Sequence, residues 1–200
     1  MPRDLEKRVL EVLEKALRRH VYIGPTPGWL MRPGRLECGT RWRTVRLIYR
    51  QLTNGREVSD EMPMREWREV DGLFGGRGIP WRIVEVDESQ HFNEFRALTL
   101  GKYPKDVPLG FPKGAWLAES RRRRARAGGG WAKPRPPLFP MAGGRHRQRA
   151  FRDALADLLP SVHDYAPTLR IAHFEVEPWI WQRGAIVRLG DLVMERIQGA

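Results

Sequence analysis

The sequence predicts an α/β (α+β) fold, and three observations carry that expectation. Segments near both ends repeat apolar residues at the three-and-four spacing of helices. Two stretches in the middle alternate like strands and are joined by Gly75-Gly76-Arg77-Gly78. After a Pro-, Gly- and Arg-rich interval, a further helical pattern leads into another alternating run. With 200 residues, 41% of them hydrophobic, the chain is long enough for one domain with its own core. The expectation is a single domain over 1–200, in four parts: N-terminal helices (1–60), a hairpin and following helix (61–101), a basic flexible insertion (102–146), and a C-terminal helix, strand and helix (147–200).

In chain order, Leu5, Val9, Val12, Leu13, Ala16 and Leu17 predict a helix from Asp4 to His20, with Asp4 as N-cap and Arg18, Arg19 and His20 at the favourable end of its dipole. Breakers from Gly24-Pro25 to Pro33-Gly34 make 21–34 a loop with at most a short strand. Trp42, Val45, Ile48, Tyr49 and Leu52 predict a second helix from Thr40 to Thr53, stopped by Asn54-Gly55, with Glu37 at its N-terminal edge. Glu66 to Phe74 and Pro80 to Val86 read as an antiparallel hairpin, and Phe92 to Leu100 as a short helix ending at Gly101.

From Lys102 to Gly144 the composition reads as an inserted mobile loop. Arg147 to Leu159 is a helix with Pro160 just past its end, Leu169 to Val176 a strand, and Leu189 to Ile197 a closing helix.

Thirty-six Lys and Arg against 24 Asp and Glu give a formal charge of +12, which points to a polyanion, nucleic acid first. No apolar run approaches the ~20 residues of a membrane span, and no signal-peptide pattern opens the chain, so a cytoplasmic protein without a membrane partner is expected. The single cysteine, Cys38, excludes an internal disulfide and a cysteine-rich zinc site.

The chemistry centres on Trp81-Arg-Ile-Val-Glu-Val-Asp-Glu-Ser-Gln-His91-Phe92. Alternate strand residues share a face, so Glu85 and Asp87 point one way while Val84 and Val86 enter the core. Asp71, on the partner strand, can oppose them, and His91 is placed to handle a proton. Converging carboxylates of this kind bind a hard cation such as Mg²⁺ or Mn²⁺, which polarises a phosphodiester. The spacing alone also fits exposed acids on an ordinary hairpin.

The wider pattern separates the two. "RIVEVDESQHF", preceded by "REVDGLF" and followed by the Arg152-Asp153 step and the strand from Leu169, resembles the PD-(D/E)xK nuclease superfamily, in particular its very-short-patch-repair-like branch. The resemblance spans Glu37 to Val176 and is interrupted by the basic insertion. It implies a restriction-endonuclease-like core, a mixed sheet flanked by helices. It also implies a Mg²⁺-dependent DNA endonuclease in which Asp71, Glu85 and Asp87 hold the cation, His91 assists water and an upstream glutamate supports. For that glutamate Glu37 is the best match, with Glu11 and Glu14 as alternatives. The usual lysine is absent, with Asp87 in its place, and one cysteine cannot build the structural zinc site such repair enzymes tend to carry.

Arg121, Arg122, Arg123, Arg124 and Arg126, with Arg145, Arg147 and Arg149, are the expected phosphate contacts, and Trp116 and Trp131 the candidates for base stacking. Trp42, Trp67 and Trp81 are assigned to the core, and His20, His146, His163 and His173 to structural or surface roles. DNA is the expected partner and RNA stays open. A restriction or defence role and a homodimer, matching a palindromic site, are further expectations. The alternative is a non-catalytic nucleic-acid-binding protein that retains the nuclease fold; a basic scaffold protein is a third possibility.

Overall fold

Nine residues from Ile79 to Asp87 form the strand on which the molecule is assembled, here called β3 in a computed structural model that describes residues 2–63, 68–123 and 132–199. Glu66, Trp67, Arg124, Arg126 and Trp131 lie outside the described residues. The helix α1 spans Pro2–Leu17, the short strand β1 Tyr22–Ile23, a single helical turn α2 Arg35–Cys38, and α3 Trp42–Leu52. Strand β2 is Gly72–Gly76, and α4 is Glu94–Leu100 with Asn93 capping it by accepting from the amides of Phe95 and Arg96. Helix α5 is Lys113–Arg122, α6 Gly144–Leu158, β4 Ala166–Ala172, α7 His173–Val176 and α8 Ala185–Gln198.

These strands make one four-stranded mixed sheet in the order β1-β2-β3-β4, flanked by helices. β2 and β3 form an antiparallel hairpin as the sequence predicts, but β2 begins at Gly72 rather than Glu66. Its two-residue turn has positive φ at both Arg77 (51°) and Gly78 (84°), the conformation that matches strand twist and that glycine adopts most easily. β4 runs parallel to β3, which requires a long crossover, supplied by α4, α5 and α6.

Both faces of β3 are covered, so its side chains divide between two cores. Val84 and Val86 pack with Leu10 and Leu13 of α1, Ile171 of β4, and Leu189 and Val193 of α8. Ile83 joins the other cluster, with Ile48 and Leu52 of α3, Leu100 of α4, and Phe151 and Leu155 of α6. Glu85 and Asp87 share the alternation of Ile83 and are each only 1% exposed, in contrast to acids on a solvated hairpin face.

Two expectations need correction. Among the described residues of the interval 102–144, the chain is not a loose insertion: α5 lies within it, and Tyr103, Val107, Phe111, Trp116, Leu138 and Phe139 are all buried in the core. Widely spaced aromatic anchors, rather than a continuous apolar face, hold this segment, and backbone approach is close: a Cβ at Gly110 would sit 2.6 Å from the carbonyl oxygen of Thr168. The last strand also ends earlier than the alternation indicates. Glu175 accepts the amide of Ala172 at 2.9 Å, and the chain turns into α7 at His173. Among the described residues, no helix is long and apolar enough to cross a membrane.

Candidate functional site

The hairpin register pairs Gly72 with Val84, so the next pair outward is Asp71 and Glu85. Asp71 stands just before β2, and its Oδ2 accepts the amide of Val86 at 2.8 Å. The side chain thereby ties itself to β3 where β2 begins. Asp71 and Glu85 both line a cleft of about 600 Å³. Glu6 of α1, Arg68, Glu88, His91 and the α6 residues Arg145, Arg149, Arg152 and Asp153 also line it.

Burial dominates the acidity of the pair. It pushes the Asp71 carboxyl up to about 7, with the charge of Glu6 adding to the rise and the Val86 amide and Arg68 opposing it. It pushes Glu85 up to about 8, against the opposing charge of Arg68. Arg68 Nη2 donates to Glu85 Oε1 at 2.5 Å and lies 3.5 Å from Asp153 Oδ1. Both buried carboxyls thus hold their protons up to near neutral pH.

Asp87 has a different setting. Its Oδ1 accepts from Arg170 Nη1 at 2.6 Å, its Oδ2 accepts from the indole of Trp116 at 2.6 Å, and it is not part of the cleft lining. Arg170, on β4 beside Glu85, is wholly buried; its Nε donates to Asp157 at 2.7 Å and its Nη2 to the carbonyl of Asp153 at 3.1 Å. Burial lowers the Arg170 pKa, but Asp157, Asp87 and Asp153 outweigh it and hold the guanidinium well above its ordinary value.

His91 Nδ1 lies 3.3 Å from both Asp87 Oδ1 and Asp153 Oδ2. Burial acts to raise the Asp153 carboxyl, yet His91 and then Arg170 hold it well below the usual carboxylate range. Asp87, His91 and Asp153 each offer one atom within 4.8 Å of the others, a grouping able to hold a metal ion. An ion there would compete with Arg170 for Asp87 and with Arg68 for Asp153. A histidine donor in the set suits a transition metal better than Mg²⁺.

The structure thus brings Asp71, Glu85 and His91 to one cleft and sets Asp87 behind them. Glu37 is elsewhere: its carboxylate accepts the amide of Gly34 at 2.9 Å and caps α2. Glu11 and Glu14 lie on other parts of α1, away from the cleft, and Glu6 is the glutamate of that helix that reaches it.

Of the expected phosphate contacts, Arg145 and Arg149 line the cleft. Burial, then Arg149, Arg135 and Arg152, pushes the Arg145 guanidinium down to about 10. Arg121, Arg122 and Arg123 are not in the cleft lining; Arg122 and Arg123 pair with Glu119 instead. Arg147 donates to the carbonyl of Leu52 and stacks 4.3 Å from the Phe95 ring, tying α6 to α3 and α4. Trp116 is not available to stack on bases, since it is 0% exposed among Phe92, Phe111 and Phe174.

Glu6, Arg68 and Arg170 carry much of the site and were given no role from the sequence, and Arg152 entered there only as part of the Arg152-Asp153 step. Arg170 had a readable sign, because a charge inside the apolar run Leu169-Arg-Ile-Ala requires a buried acid. Glu6 has none that sets it apart from Glu11 and Glu14 on the same helix.

Comparison with protein-family models, curated proteins and solved structures gives no significant match.

Proposed function

We propose that the cleft is the active site of a divalent-cation-dependent endonuclease that hydrolyses phosphodiester bonds in DNA on a PD-(D/E)xK-like core. The observation that carries this reading is the meeting of Asp71, just before β2, and Glu85 of β3 in one cleft with three arginines of α6. Acids on a rigid hairpin beside cations on a helix match a substrate that is itself anionic and cut with the help of a metal. The order of the parts supports it too: an acid before one strand, acids on the next, then a helix bearing Asp153 that leads into a parallel strand.

Asp71 and Glu85 are the residues that would hold Mg²⁺ or Mn²⁺, and their raised proton affinities fit an exchange of protons for a cation. When bound, the metal supplies Lewis acidity to the phosphodiester and to the attacking water. His91 is the proton acceptor. With Nδ1 3.3 Å from Asp87 and Asp153, a neutral imidazole would carry its proton on that side and leave Nε2 for water. Asp87, where the lysine of the resembled family stands, orients His91 rather than joining the cation. Arg145, Arg149 and Arg152 receive substrate phosphates.

The test is incubation of the purified protein with supercoiled plasmid and with DNA and RNA oligonucleotides in Mg²⁺, Mn²⁺ or EDTA. Nicking that needs the metal and is lost in Asp71→Asn is expected. Absence of metal-dependent cutting, or full activity in Asp71→Asn, would overturn the reading.

One observation favours a second reading, a non-catalytic nucleic-acid-binding protein on the same fold. The Arg68 guanidinium already sits against Glu85 and near Asp153 and supplies a positive charge where the metal would act. Under that reading oligonucleotide binding survives both EDTA and Glu85→Gln, and no cutting occurs with any metal.

A further inference from the structure

Arg145, Arg149 and Arg152 follow one another on α6 at steps of four and three residues, so their side chains stand on one helix face, and all three line the cleft. They occupy the first two-thirds of the helix, beginning in its first turn, where the helix dipole disfavours cations. Arg145 shows the imbalance most clearly. Its hydrogen bond, at 3.2 Å, goes to the neutral Gln148 Oε1, and the charged groups acting on it are Arg149, Arg135 and Arg152, all of its own sign. Arg149 is partly offset by Asp153 and Glu88 at the inner end. Of these two, Arg145 is the one whose charged surroundings are all positive.

A row of like charges held together in a half-buried wall is unfavourable by itself and becomes favourable against an anion. Seven residues of helix rise about 10 Å. Nucleic acid presents one charge per ~3.4 Å of axis along a single strand, so the row matches two or three successive phosphates better than one isolated anion. Resting on the function proposed above, we infer that Arg145, Arg149 and Arg152 form a track for the phosphates that adjoin the cleaved linkage on the same strand, with Arg135 at its outer end. The cleft then grips one strand by its backbone, and affinity along the track is indifferent to base sequence.

The track is tested by equilibrium binding of labelled oligonucleotides in EDTA, where cutting plays no part, across a salt series. Arg145→Gln and Arg152→Gln should each make the slope of log K against log salt shallower by about 0.7 to 0.9, the share of one phosphate contact. Arg145→Lys should restore it. Arg188→Gln, on the exposed part of α8, makes the same change in net charge and should leave the slope unaltered.

A neutral methylphosphonate linkage placed at successive positions should, at one position, abolish the difference between wild type and Arg145→Gln. Slopes unchanged in both glutamine variants would overturn the track. So would inorganic phosphate competing as well as the oligonucleotide, or an Arg145 effect indifferent to every linkage. Slope changes without any metal-dependent cutting would leave the track standing and remove the nuclease reading; cutting without slope changes would do the reverse.

Discussion

The indole N–H of Trp116 donates to Oδ2 of Asp87 at 2.6 Å, with both residues buried. Helix α5 thereby reaches the acid strand, and the segment that looked dispensable in composition fixes the carboxylate behind His91. Trp116→Phe keeps an aromatic ring in the core and removes the donor. The loss expected is about 1–3 kcal/mol from one under-satisfied buried carboxylate, read as a lower denaturation midpoint with unchanged m-value. If Asp87 orients His91, the pH profile of cleavage shifts as well. A variant as stable as wild type would remove this bond from the account.

Asp71 and Glu85 make stability fall with pH in the metal-free protein. Their folded values, about 7 and about 8, lie above the ordinary carboxylate range. The fold therefore binds protons that the unfolded chain has released. That contribution is complete below about pH 4 and is lost as pH rises through 7 and 8. Melting temperature in EDTA should decline between pH 5 and 9, and Mg²⁺ or Mn²⁺ should flatten the decline by replacing the protons. Asp71→Asn, which retains an oxygen acceptor for Val86, should decline less steeply. A melting temperature that rises over this range would contradict the burial argument.

Arg170 is the counter-charge of Asp87 and Asp157 and also binds the Asp153 carbonyl. Arg170→Met leaves those acids buried without it, a change that costs about 3–5 kcal/mol when a buried pair loses one partner. Chemical denaturation compares it with Arg188→Gln, at an exposed position on α8. A loss no greater than that of the surface variant would mean that the acids are compensated by other means.

Cys38 is wholly buried, and burial, then the charge of Glu37, pushes its thiol up to about 12. The thiolate is the reactive form, so the native protein at pH 8 should not react with a disulfide reagent over the time in which the denatured chain is fully labelled. Rapid native labelling would show that α2 opens readily.

The helices α1, α3, α4 and α6 and the β2–β3 hairpin were legible in the sequence because their causes are local. Helical or strand periodicity marks the buried face, and caps and breakers such as Asn54-Gly55 or Arg77-Gly78 mark the ends. The nearness of Asp71, Glu85 and His91 was legible for a related reason: a hairpin and one following turn fix it within 21 positions of chain. Residues 102–123 and 132–144 were misread because their anchors are sparse and the arginines and glycines of the interval many.

The sequence by itself determined which side chains alternate on β3 and that Asp71 lies on the segment paired with it, although it set that strand from Glu66 to Phe74 and the structure starts it at Gly72. Tertiary structure alone decided which glutamate joins them. α1 carries Glu6, Glu11 and Glu14, and its place in the fold brings Glu6 to the cleft, whereas Glu37 caps α2. It also decided the role of Asp87. Whether a buried carboxylate meets a metal or a guanidinium depends on what the parallel strand and α5 place beside it, and these are Arg170, 83 positions away, and Trp116, 29 positions away. Pairings over such separations follow from register and packing, which no local spacing records.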